Sequence, residues 1–176
     1  MDIKVILGLG NPGPKFFKTR HNIGFRIIDA LAQKYGGHWR TQGDQVSLKE
    51  IAEISFHRKN VFLIKPQTFM NNSGQALISL AKQGIRPENI LVVHDELELP
   101  FGQLKIKTGG SAKGHNGLKS IITYVGDAFH RLRCGVGRPA EREKVPDYVL
   151  ENFTESLADV DNMIDRAVQE IEKLFY

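Results

Sequence analysis

Short apolar runs alternate with amphipathic stretches along this chain. Ile3, Val5, Ile6, Leu7 and Leu9 form one such run, interrupted and closed by Gly8 and Gly10, as a strand buried on both faces requires. Asn11-Pro12-Gly13-Pro14 cannot be helix interior and predicts a loop. From Asn22, Ile23, Ile27, Ile28 and Leu31 recur at helical spacing until Gly36-Gly37 end the pattern. Val61 to Ile64 predicts a second buried strand, closed by Lys65-Pro66. Ser73 is then placed to cap a helix carrying Leu77, Leu80 and Ala81, and Ile90 to Val93 predicts a third strand. A strand at 103–107, a helix at about 116–125, a strand at 131–136 and a long amphipathic helix from about 155 complete the series. Alternation of strand and helix predicts a single three-layer α/β/α domain over residues 1–176, with a mixed, largely parallel central sheet.

Composition narrows the classes. The 176 residues are 41% hydrophobic and 25% charged, ordinary for a globular chain and unlike a disordered one. One cysteine, Cys134, can neither bridge within the chain nor build a thiolate metal site, and its apolar neighbours predict a small buried residue. No leader-like h-region follows Met1 and no apolar run reaches membrane-spanning length, so the expectation is a soluble cytoplasmic protein with no membrane partner. The net charge of +4 conceals a division. Residues 101–138 hold seven Lys and Arg against Asp127 alone, whereas 151–176 hold seven acids against Arg166 and Lys173. A basic stretch threaded with glycines can follow a phosphate backbone, and an acidic last helix is expected to face away from it.

Gly8-Leu9-Gly10-Asn11-Pro12-Gly13 matches the dinucleotide-binding spacing, but Pro12 and Pro14 remove backbone donors and the helical pattern waits until Asn22. The glycines instead predict a tight, exposed turn that brings Asn11 to the carboxyl edge of the sheet, where open α/β sheets place their sites. Asn71 and Asp95 also follow buried-strand candidates closely and can converge there. The polar clusters are Asn11, Arg20-His21-Asn22, Phe69 to Ser73, His94-Asp95-Glu96 and Gly114 to Gly117. Neither a G-x-S-x-G elbow nor H-E-x-x-H spacing occurs, which favours attack by an activated water over a covalent or metal route.

Leu9-Gly10-Asn11-Pro12-Gly13, Thr19-Arg20-His21-Asn22-Ile23-Gly24, Thr68-Phe69-Met70-Asn71-Asn72-Ser73-Gly74, His94 to Pro100 and Gly114-His115-Asn116-Gly117-Leu118-Lys119 closely resemble bacterial-type peptidyl-tRNA hydrolases. Phe129 to Gly137 and Val149-Leu150 fit as well, so the resemblance runs in one order from about residue 3 to 153. It implies hydrolysis of the ester joining a peptide to the terminal ribose of tRNA, by a monomer with no cofactor and no metal. His21 resembles the family's general base and Asp95 the carboxylate that orients it. Asn11, Asn71 and Asn116 match its substrate-holding amides, with Phe16, Phe69 and His115 beside them. Lys105, Lys107 and Arg133 match its basic tRNA contacts, and glycines 109, 110, 114 and 117 would make a mobile gate over the cleft. Phe16 stands where many members have tyrosine, Lys113 adds a charge to the glycine segment, and the chain stops at Tyr176, short of a tail that longer members carry. The alternative is a non-catalytic RNA-binding relative, a splicing partner that keeps the same motifs.

Overall fold

The computed structural model describes residues 1–176. Seven strands form one sheet in the order β2-β3-β4-β1-β5-β7-β6. They are β1 (Val5–Gly8), β2 (Arg40–Gln42), β3 (Lys49–Phe56), β4 (Lys59–Pro66), β5 (Ile90–Glu96), β6 (Leu104–Thr108) and β7 (His130–Gly135). The four central strands β4, β1, β5 and β7 run parallel, and β2, β3 and β6 add antiparallel edges. The helices are α1 (Ile23–Lys34), α2 (Ile78–Ala81), α3 (Asn116–Val125), α4 (Val145–Leu150) and α5 (Leu157–Lys173).

Period-two alternation in the central strands feeds two cores. Ile6, Leu91, Val93 and Leu132 face α1 and α5, joining Ile27, Leu31, Met163 and Ile171. Val5, Leu7, Ile64 and Val92 face the other layer, joining Leu77, Leu118 and Ile121. The three-layer mixed sheet expected from the pattern is what forms.

Two local readings need correction. The segment after Phe69 is a 3-10 helix from Met70 to Leu77, and Ser73 lies inside it, its Oγ donating to Met70 O at 2.8 Å rather than capping an α-helix. The turn after β1 is exposed only from Gly13, because Gly8, Gly10 and Asn11 are buried. β2 is one strand that the apolar runs did not reveal, and β3, which pairs with β4 as a hairpin, is another. Its buried Lys49 donates to Ala76 O at 2.9 Å and Ser79 Oγ at 3.0 Å, tying the sheet edge to the far end of the 3-10 helix.

Candidate active site

Close packing brings α1 to the carboxyl end of the sheet. A Cβ on Gly24 would lie 2.3 Å from Val93 O and 2.6 Å from Leu9 N, so only glycine lets the first turn of α1 touch both β1 and β5. His21 and Asn22, just before that turn, are thereby set against Asp95 near the end of β5. Arg20 fixes the segment from outside: it is 3% exposed, lies over the Tyr148 ring at 3.8 Å and donates to Tyr148 O at 2.9 Å.

Asp95 is the hub. His21 Nδ1 lies 2.9 Å from both carboxylate oxygens, and His115 Nε2 lies 2.8 Å from Oδ1. Burial pushes this carboxyl up, but the charges and hydrogen bonds of His21 and His115 outweigh it and hold it well below the ordinary carboxylate range. His115 is also the N-cap of α3, its Nδ1 accepting from the N–H groups of Gly117 and Leu118 at 3.1 and 3.3 Å. With Nδ1 an acceptor, Nε2 must carry the proton it donates to Asp95. His21 donates through Nδ1 to the same carboxylate, leaving Nε2 as its basic nitrogen.

His21, Asp95 and His115 could also offer three ligand atoms within 4.8 Å to a metal ion. A metal-bound histidine ordinarily donates its second ring N–H outward. His115 Nδ1 instead faces two N–H donors, so ligation through Nε2 would require an imidazolate or a broken helix cap. The arrangement suits hydrogen-bond donation better than metal binding.

Beneath this cluster lies His94, 2% exposed, with Nδ1 donating to Asp95 O at 2.7 Å. Burial, then the neighbouring His115, pushes its pKa down to about 3, so it is neutral at physiological pH. Asn22 clamps the loop after β1: it accepts from Asn11 N–H and donates to Asn11 O, both at 2.9 Å. Asn11 Oδ1 in turn accepts from Met70 N–H at 2.8 Å, which registers the start of the 3-10 helix and leaves the Asn11 NH2 group as the donor. Neither His94 nor Asn22 was assigned a role from sequence, although each adjoins a residue that was.

A cleft of about 690 Å³ opens over the cluster, lined by His21, Asp95, His115, Asn116, Lys107 and Arg133 among others. Asn11, Phe16, Phe69 and Asn71 gather on a neighbouring patch outside that lining. There Phe16 meets Phe69 edge to face at 6.5 Å, and Asn71 is exposed one residue beyond Met70. Lys105 pairs with Arg133 and Lys107 with Arg131 across β6 and β7, which puts four cations on one face of that ribbon. Arg133 is not free: its Nε donates to Glu96 Oε1 at 2.7 Å. Cys134 is fully buried, and burial raises its thiol pKa, so it is no nucleophile.

Comparison with known proteins agrees with this geometry. The family model described as peptidyl-tRNA hydrolase matches residues 5–176. A peptidyl-tRNA hydrolase of Rubrobacter xylanophilus is 43% identical over 166 residues, covering 94% of this chain and 90% of its own. One from Neisseria meningitidis is 44% identical over 172 residues, covering 96% and 88%. The crystal structure of peptidyl-tRNA hydrolase from Acinetobacter baumannii superposes with a TM-score of 0.87 at 37% identity, over 99% of this chain and 88% of that one. With the family model spanning nearly the whole chain and the His21–Asp95 pair in place, this chain belongs to the peptidyl-tRNA hydrolase family.

Proposed function

We propose that this chain hydrolyses the ester between a peptide and the 3′-terminal ribose of tRNA, in the cytoplasm and as a monomer, releasing peptide and free tRNA. One observation carries the reading: His21 lines the cleft with Nδ1 committed to Asp95, so Nε2 is the position from which a proton can be taken. Nε2 removes a proton from water as the water oxygen attacks the ester carbonyl, and Asp95 stabilises the imidazolium that forms. Collapse of the tetrahedral intermediate breaks the bond to the ribose oxygen, which takes the proton back from His21. No covalent enzyme intermediate is needed.

The remaining residues bind and orient. Asn11 presents its NH2 group toward the patch, because its carbonyl oxygen is held by Met70. Asn71 and Asn116 are exposed and make no side-chain hydrogen bond within the chain, which suits amides that meet the ester and the peptide main chain. Phe16 and Phe69 offer an aromatic surface beside them, and His115 holds Asp95. Lys105, Lys107 and Arg133 supply sequence-independent attraction for phosphates. A helix long and apolar enough to cross a membrane is absent.

The test is release of peptide from N-blocked aminoacyl-tRNA by the purified chain. His21→Ala should lower kcat about 10²–10⁴-fold with tRNA affinity unchanged. Binding of tRNA without release of peptide by the unaltered chain would favour the RNA-binding alternative.

A further inference from the structure

The glycine segment between β6 and α3 is fastened at both ends. Arg131, 3% exposed, donates to Ser111 O at 2.7 Å and also to Gly110 O. At the other end, His115 caps α3 and donates to Asp95. Gly117 adds no mobility, because it lies in the first turn of α3 and a Cβ there would stand 2.6 Å from Met70 Sδ. The movable part is thus the tip, residues 112–114.

A single side chain of that tip reaches across the cleft. Lys113 Nζ meets Glu98 Oε2 at 2.6 Å, and the same carboxylate oxygen lies 3.9 Å from Nη2 of Arg133, which is bound to Glu96. Lys113, Glu98, Arg133 and Glu96 form a chain of alternating charge, and all four line the cleft. Its outer link is half-exposed and open to screening by salt, whereas the Arg133–Glu96 link is less than one-fifth exposed. Lys113 also holds φ at 46°, in the left-handed region, between Gly110 and Gly114. A lysine disfavours that conformation, and its contact with Glu98 offsets the cost. The hydrogen bond from Lys113 holds the Glu98 carboxyl below its ordinary range, so it remains an anion at neutral pH.

We propose that Glu98 stands in for an RNA phosphate. In the free protein it occupies Lys113 and Arg133 and straps the tip across the cleft, and a phosphate of the substrate backbone displaces it. Carboxylate and phosphate oxygens meet Lys and Arg in similar geometry, and RNA brings many phosphates where a small ester brings none. The strap therefore admits esters attached to RNA over esters that are not. This inference rests on the proposed function for the identity of the polyanion.

Backbone NMR order parameters at the 112–114 amides of the free chain read the strap directly. Glu98→Gln and Lys113→Asn should each lower them from about 0.85 toward about 0.6, asparagine being chosen because it tolerates the left-handed backbone without the charge. At low salt Glu98→Gln should lower KM for N-blocked aminoacyl-tRNA roughly three- to tenfold with kcat held within about twofold, and the difference should shrink as salt rises. Glu141→Gln, which removes an acid outside the strap, should move KM less than about twofold. Unchanged order parameters in both variants would overturn the strap, and an unchanged KM in Glu98→Gln would overturn the phosphate exchange. If the unaltered chain releases no peptide while Glu98→Gln still binds deacylated tRNA more tightly, the proposed function fails and the strap stands.

Discussion

Asp95 receives hydrogen bonds from two imidazoles, and what each ring meets on its far side sets the protonation of all three groups. The N-terminus of α3 fixes His115 as a donor, so Asp95 has no reason to take a proton and His21 keeps Nε2 basic. Asp95→Asn replaces an acceptor by an amide that can donate to Nδ1, which favours the wrong tautomer of His21. Turnover should fall about 10²–10⁴-fold with KM little changed, measured by steady-state kinetics. His94 gives a second expectation, in stability rather than rate. Its pKa falls from 6.5 in the unfolded chain to about 3 in the fold. Between those values the unfolded chain binds a proton that the folded chain refuses, so stability declines as pH falls through that window. The contribution is fully present above 6.5. The slope approaches about 1.4 kcal/mol per pH unit for a single group. His94→Gln should flatten that slope in urea titrations between pH 6 and 4, whatever its effect on stability at neutral pH. Asp95 acts in the same sense at lower pH: its depressed pKa stabilises the fold above the ordinary carboxylate range, and that effect is lost as pH falls from there through the folded value.

Among the elements, those whose apolar residues are buried on both faces were legible in the sequence, and those that rely on partners were not. β1, β4 and β5 announce themselves as continuous runs because helices cover both sides of them. β3 interleaves Lys49, Glu50 and Glu53 with Ile51, Ile54 and Phe56, and its hairpin to β4 turns through His57 and Arg58, both at positive φ. Asn-Gly would have signalled such a turn, but His-Arg does not. The same division applies to the site. His21, Asp95 and the asparagines were readable from motif resemblance. The side chains that position them were not, since Asn22 holds Asn11 across eleven positions and Arg131 holds Gly110 across twenty-one. Asn22→Ala tests the first of these couplings. Losing a buried amide that satisfies both the N–H and the C=O of Asn11 should cost about 1–3 kcal/mol of stability. It should also raise KM, because Asn11 sets the start of the 3-10 helix that carries Asn71 and follows directly on Phe69. Asn22→Asp keeps the acceptor alone and should recover part of each loss.

Across the whole molecule, charge follows architecture. No residue after Val149 lines the cleft, and acidic α5 packs through Val160, Met163, Ala167 and Ile171 onto the core on the α1 side of the sheet. The basic 101–138 region instead supplies β6, the glycine segment and β7, which border the cleft. Cations within that region are not equivalent. Lys105 and Lys107 have no acidic partner, whereas Arg133 is bound to Glu96 and has a side chain only 17% exposed. Lys105→Ala should therefore weaken tRNA binding uniformly and reduce the slope of log affinity against log salt by about one, with the melting temperature unchanged. Arg133→Ala should act in two ways at once. It removes a cation, and it leaves the largely buried Glu96 carboxylate unpaired, so the melting temperature should fall by several degrees, about the effect of 1–3 kcal/mol in a chain of this size. Arg133→Ala/Glu96→Gln should restore the melting temperature while leaving the salt slope reduced. If the double variant does not recover the melting temperature, Arg133 stabilises the fold through packing of the β6–β7 ribbon rather than through its pair with Glu96.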